Sequence, residues 1–187
     1  MSGLILPFHN FQPRIADGAF IAPNATVIGE VEIADDVGIW FGCVLRGDGN
    51  TIRIGARTNI QDGTVIHVNQ EKDGGRGKSG FACTIGADVT VGHLALIHAC
   101  TLEDGSFVGM KACVMDGAVV ETGGMVAAGA LVTPGKRVRK GELWAGSPAK
   151  LMRALTPAEI TSFQWTVEHY VERAHDFRAI VNRARAR

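Results

Sequence analysis

A six-residue period runs through most of this chain and leaves few folds open to it. Read in sixes from Ile21, one position is filled by Ile21, Val27, Ile33, Ile39 and Leu45, and the position four residues later by Ala25, Val31, Val37 and Cys43. The frame returns at Ile54, Ile60 and Ile66, again at Ile85, Val91 and Ile97, and then runs from Leu102 through Val108, Val114, Val120 and Val126 to Val132. Small residues accompany this last block at Ser106, Ala112, Ala118, Gly124 and Ala130. A helical face repeats every ~3.6 residues and a strand face every ~2, so a period of six fits neither a helix nor a hairpin meander. It fits a parallel β-helix, a solenoid in which three short strands make one triangular coil. Each aliphatic residue points into the prism, and the small one lets the chain turn a corner.

Three hexads make a coil of 18 residues, so residues 18 apart in frame lie one above the other at the strand spacing of about 4.8 Å. Two interruptions must first be taken out. Leu45 to Ile54 is a hexad plus three residues, and Ile66 to Ile85 is a hexad plus thirteen. With these removed, Leu45, Ile66 and Ile97 share one face of three successive coils, and the residues that follow them, Arg46, His67 and His98, form an outward column. His93 falls on the preceding face, near a corner.

Two imidazoles one strand apart can reach a single ion at about 2.0–2.1 Å, the ordinary zinc–nitrogen distance. A third on the adjacent edge does not join them easily within one prism. It could do so across the interface of a cyclic trimer, where the edge of one subunit meets the face of the next. That gives three histidines and an open fourth position, the ligand pattern of catalytic zinc. Cobalt and ferrous iron suit the same imidazoles. His9, His169 and His175 stand outside any such column and read as solvated surface residues.

The chain has 187 residues, 46% of them hydrophobic, which suits one cored domain. Its formal charge of zero removes the electrostatic case for a nucleic acid or an anionic membrane as partner. The four cysteines, Cys43, Cys83, Cys100 and Cys113, form no CxxC pair, and Cys43 occupies an inward position of the repeat, so it reads as a buried thiol. The segment Met1 to Pro7 lacks the basic start and long apolar run of a signal peptide. No stretch approaches the ~18 apolar residues of a membrane span. A cytoplasmic protein is the default expectation.

The expected organisation is an N-terminal cap over residues 1–20, the solenoid over 21–137 with loop insertions near 47–50 and 69–82, and an exit segment with a helix over 138–187. The cap is expected as an irregular strand closing the open edge of the first coil. The first insertion brings Asp48 close to the Arg46 column. The second, reading NQEKDGGRGKSGFA, begins just after His67 and has the glycine and charge content of a solvent loop. Beyond Gly146–Lys150, Thr156 is placed as N-cap, Pro157 at the first helical position and Glu159 at the third. Ile160, Phe163, Val167, Tyr170 or Val171, Ala174, Phe177 and Val181 then recur at threes and fours, the pattern of an amphipathic helix of about 25 residues.

Taken in order, Arg46-Gly47-Asp48, Asn59-Ile60-Gln61-Asp62, Val65-Ile66-His67, Gly92-His93, Ile97-His98-Ala99-Cys100 and Gly146-Ser147-Pro148-Ala149-Lys150 resemble the gamma-class carbonic anhydrase family over nearly the whole chain. The last element is shared with hexapeptide acyltransferases; the ordered set is more specific. The resemblance implies an all-β left-handed parallel β-helix of hexapeptide repeats with a C-terminal α-helix, assembled as a homotrimer with metal at each subunit interface. It implies that His67 and His98 come from one subunit and His93 from its neighbour. Gln61 matches the residue that hydrogen-bonds metal-bound solvent, and Arg46 an interface arginine paired with acids that stand here as Asp48 and Asp62. Tyr170 matches a tyrosine of the terminal helix near the active site. The implied activity is reversible hydration of carbon dioxide to bicarbonate. This chain departs from the family pattern in having Gly49 where an acidic residue follows the aspartate matched by Asp48. Glu71 and Asp73 are the candidate replacements for the missing proton shuttle, and slow turnover is expected. Two other readings stay open: an acyl-CoA thioesterase or hexapeptide acyltransferase with a histidine base, and a non-catalytic trimeric scaffold.

Overall fold

Alternation of inward and outward side chains along each short strand sorts the hexads into an aliphatic interior and a polar exterior. The computed structural model of the protein describes residues 3–70 and 80–185. All the aliphatic positions of the repeat from Ile21 to Val132 are buried, and Val27, Ile39, Leu45, Ile60, Ile66, Ile97 and Leu102 have no exposed surface. Their strands stack in parallel into a left-handed solenoid of triangular section.

On the first face, Phe20–Ile21, Gly38–Ile39, Asn59–Ile60, Thr90–Val91, Phe107–Val108, Met125–Val126 and Glu142–Gly146 pair in register. The second face stacks the starts of Thr26–Ile33 and Val44–Ile54 under Val65–His67, Leu96–His98, Cys113–Val114 and Leu131–Val132. The third carries the ends of the same two long strands, then Cys83–Ile85, Thr101–Leu102, Val119–Val120 and Arg137–Val138.

Two segments differ from expectation. The N-terminal residues cover the edge of the first coil with regular strands rather than an irregular one, because Leu4–Leu6 and Arg14–Ile15 each pair in parallel with Thr26–Ile33 and so contribute a rung to the second and third faces. Pairing satisfies main-chain groups that an open edge would leave to solvent. The residues near 47–50 do not leave as a loop either. They lie inside the continuous strand Val44–Ile54, and the three extra residues are taken up where the register jumps from Gly29↔Gly47 to Val31↔Ile52. A bulge of this kind needs close backbone approach. Gly29 supplies it at φ +80°, with the Gly47 carbonyl where a side chain would stand.

After the antiparallel hairpin of Glu142–Gly146 with Ala149–Ala154, the helix Pro157–Arg185 runs for 29 residues along the first face. Phe163, Val167 and Ala174 are buried, and Tyr170, Phe177 and Val181 pack half-buried beside the core. Ile160 continues this stripe in sequence yet is 47% exposed. The first ring contact with the prism is made one turn later, where Phe163 stacks on Phe107 at 4.8 Å. Further along, Phe20, Trp40, Phe41, Tyr170 and Phe177 form an edge-to-face cluster that seats the helix, with Trp40 and Tyr170 at 5.3 Å and 81°.

The helix start is a reciprocal capping box. Thr156 Oγ accepts the Glu159 amide at 3.3 Å, and the Glu159 carboxylate accepts the Thr156 amide at 2.8 Å. Arg153 grips the same carboxylate through two bonds of 2.7 and 2.9 Å. Arg153 first, then Thr156, holds the Glu159 carboxyl at about 2, below its usual 4.5. Since the folded value is the lower one, the contribution to stability is complete above about pH 4.5 and is lost as pH falls toward 2. An NMR titration of the Glu159 side-chain carbon is expected to show a midpoint near 2 in the native chain, moving back up in Arg153→Ala.

Candidate metal centre

The register Arg46↔His67↔His98 sets three side chains in one outward column on the second face, behind which Leu45, Ile66 and Ile97 fill the interior. His67 Nδ1 lies 3.2 Å from His98 Nε2. Two nitrogens bound to one tetrahedral ion at ~2.0–2.1 Å stand about 3.3 Å apart, so this spacing fits a shared ion. Each candidate ligand also has a carboxylate on a ring nitrogen. Asp48 takes His67 Nε2 at 3.0 Å, Asp62 takes His93 Nδ1 at 2.9 Å, and Asp116 pairs with His98 Nδ1. Metal-ligating histidines ordinarily have such a partner, which sets tautomer and ring orientation.

The electrostatics suit ligation. Burial lowers the His67 pKa, with Arg46 adding to the effect and Asp48 opposing it, so the ring is neutral at pH 7. Burial alone would raise Asp48, but His67 and Arg46 outweigh it and bring it below the ordinary carboxylate value. Asp116 is likewise lowered against burial, by Asn69 and His98. Both aspartates are therefore ionised acceptors.

His93 belongs to a different grouping. It follows Thr90–Val91 on the first face, and its Nε2 lies 3.5 Å from the Tyr170 hydroxyl. Burial first, and Asp62 second, raises the Tyr170 pKa, which keeps that hydroxyl protonated. Within one chain Arg46 pairs with Asp48, whereas Asp62 binds His93 and accepts the Phe41 amide at 3.3 Å. Among the described residues, no three His, Cys, Asp or Glu side chains of the single chain are grouped so as to hold an ion. The structure thus brings together Arg46, Asp48, His67 and His98, and separately Asp62, His93 and Tyr170. Glu71 and Asp73 lie outside the described residues.

The corners beside two of these histidines are strained. Leu94 and Ala99, next after His93 and His98, have φ of 61° and 49°, which costs a non-glycine residue about 1–2 kcal/mol. Bonds to the rung below hold them there, Leu94 N–H to the Asp62 carbonyl and Ala99 N–H to the His67 carbonyl, both at 2.9 Å.

Gln61 is 6% exposed on the first face, and its amide donates to Asn59 Oδ1 at 3.0 Å. Asn59 in turn donates to Thr90 Oγ1 at 2.9 Å. With its nitrogen committed in this way, Gln61 keeps its carbonyl oxygen as an acceptor. Sequence reasoning missed Asn59 and Thr90 as supports of Gln61, although Asn59 and Gln61 are two apart and thus share a face. It missed Asp116 too. That residue is 18 beyond His98, one coil on, and the same count that aligned the histidines points to it.

Exposed apolar side chains also stand beside the histidines. Val65 and Leu96, paired neighbours on the second face, are 38% and 39% exposed, and Leu94 and Met110 are 56% and 55% exposed.

No family model matches the chain. Gamma carbonic anhydrase 2, mitochondrial, of Arabidopsis thaliana is 48% identical over 162 residues, which are 87% of this chain and 57% of that protein. The chain thus spans a little over half the length of that relative. Carbonic anhydrase of Geobacillus kaustophilus is 37% identical over 177 residues, covering 95% of this chain and 92% of that one. Among solved structures, a hexapeptide transferase family protein from Anaplasma phagocytophilum superposes with a TM-score of 0.86 at 44% identity, over 95% of this chain and 99% of that chain.

Proposed function

The chain belongs to the gamma carbonic anhydrase family, and from that premise we propose that it catalyses the reversible hydration of carbon dioxide to bicarbonate at a metal held between subunits of a homotrimer. The observation that carries this reading is the pair of facing nitrogens of His67 and His98, with a carboxylate behind each of the three histidines. His67 and His98 would hold the ion from one subunit and His93 from its neighbour. Zinc suits three neutral imidazoles, as do cobalt and ferrous iron. The ion, when bound, supplies the Lewis acidity that makes hydroxide available near neutral pH.

The remaining work falls to the chain's own side chains. Asp48, Asp62 and Asp116 hold the three imidazoles in single tautomers. The free carbonyl oxygen of Gln61 accepts a hydrogen bond from the attacking oxygen and so aims its lone pair at the substrate carbon. Arg46, braced by Asp48, carries positive charge to the interface, and Tyr170 lines the approach beside His93. The exposed apolar residues Val65, Leu94, Leu96 and Met110 favour burial against another subunit. Gly49, in the place of the family's acid, leaves proton release to Glu71 or Asp73 and to buffer. Turnover is therefore slow and buffer-dependent.

Stopped-flow hydration assays on zinc-, cobalt- and iron-loaded protein from pH 7 to 9 test this directly. The rate is expected to exceed background and to climb with imidazole concentration. Background rates with every metal would remove the proposal. A second reading, acyl transfer or thioester hydrolysis, is favoured by the likeness to the hexapeptide transferase family protein. A panel of acyl thioesters, assayed with and without chelator, separates it: chelator-resistant turnover would favour acyl chemistry. Protein that binds no metal would instead favour a trimeric scaffold. Among the described residues no helix is long and apolar enough to cross a membrane.

A further inference from the structure

We infer that Asp116, held by Asn69, is a positioning residue that dictates which nitrogen of His98 carries the proton and aims the other at His67. Where the inference concerns metal affinity it rests on the proposed function; where it concerns the ring it does not.

A carboxylate can only accept, so the nitrogen facing it, His98 Nδ1, must carry the hydrogen. A neutral imidazole then has its single lone pair on Nε2, the atom that stands 3.2 Å from His67 Nδ1. Asp116 has little freedom to do otherwise. One of its oxygens takes His98 and the other takes the Asn69 side-chain amide. Asn69 is fixed in turn, since its backbone amide donates to the Phe81 carbonyl at 3.1 Å. The Phe81 ring lies against Gly117, at 3.3 Å from where a side chain would begin, so Asn69 and Phe81 bracket the turn that carries Asp116.

Asp48 and Asp116 are not equivalent in this respect. Asp48 divides its charge between His67 and the Arg46 guanidinium. Among the described residues no arginine or lysine pairs with Asp116, whose two oxygens are taken by His98 and the Asn69 amide. A carboxylate not shared with a guanidinium raises ligand basicity more than one that is, so Asp116 supports His98 more strongly than Asp48 supports His67.

Nitrogen-15 NMR of the imidazoles in metal-free protein tests the tautomer, and chelator competition with zinc tests the affinity. Native His98 is expected as the Nδ1–H tautomer, with Asp116→Ala moving it toward Nε2–H. Zinc affinity should fall about 10–100-fold in Asp116→Ala. In Asp116→Asn the amide oxygen still accepts, so the tautomer should persist while affinity drops by a smaller factor. A native His98 protonated on Nε2, or an unchanged tautomer in folded Asp116→Ala, would overturn the inference, and the native spectrum decides even if that variant does not fold. Native protein that binds no zinc would refute the metal reading and leave the tautomer result standing.

Discussion

Subunits of His67→Ala and His93→Ala, refolded together in equal amounts, are expected to recover roughly a quarter of native zinc binding and carbon dioxide hydration, although neither variant alone recovers any. The fraction follows from how the proposed site is divided. In that proposal each interface draws His67 and His98 from one subunit and His93 from the next. A mixed interface is intact only when a His93→Ala subunit supplies the pair and a His67→Ala subunit supplies the third ring, a chance of about one half for each position. The matching control is a mixture of His67→Ala with His98→Ala, which can never assemble an intact pair and should stay empty. Zinc analysis and stopped-flow assays on both mixtures, with sedimentation to verify trimers, measure the outcome. Equal recovery in both, or none in either, would rule out this division of ligands.

Ile66→Ala is expected to cost about 2–5 kcal/mol of stability, the usual range for deleting a buried aliphatic side chain. Ile66 has no exposed surface and is paired directly with Leu45 below and Ile97 above. Those rungs are tied by main-chain hydrogen bonds at fixed spacing, so the prism cannot close over the gap, and cavity cost adds to lost transfer energy. Leu151→Ala, on a side chain 54% exposed, should change stability by no more than about 0.5 kcal/mol. Urea denaturation of metal-free protein gives both values. Because Ile66 lies directly before His67, zinc affinity should also weaken in Ile66→Ala. A loss of stability similar to that of Leu151→Ala would mean that the interior is not packed as described.

The corrections to the sequence reading have physical causes. The three residues added near 47–50 stayed in the strand because pairing holds on both sides of the register shift between Gly29 and Val31, and a bulge leaves fewer main-chain groups unpaired than a loop does. The N-terminal segment became a rung because a parallel edge was open to receive it. Ile160 follows the helical stripe in spacing, but the prism is first met at Phe163.

The amino-acid sequence by itself determined the solenoid, the shared column of Arg46, His67 and His98, and the aliphatic layer behind them. Each of these depends only on which residue occupies which place in a repeated hexad, and a period is a property of the linear chain. The repeat count places Asp116 one coil beyond His98 and Asp48 near the column, but only the tertiary structure decided which ring nitrogen each acid faces, and it set Asp62 on His93. It alone brought Tyr170 to His93 across 77 residues, through an aromatic cluster that seats the helix. Such pairings depend on side-chain rotamers and on contacts of a few ångströms between separate rungs, which counting along a chain does not specify.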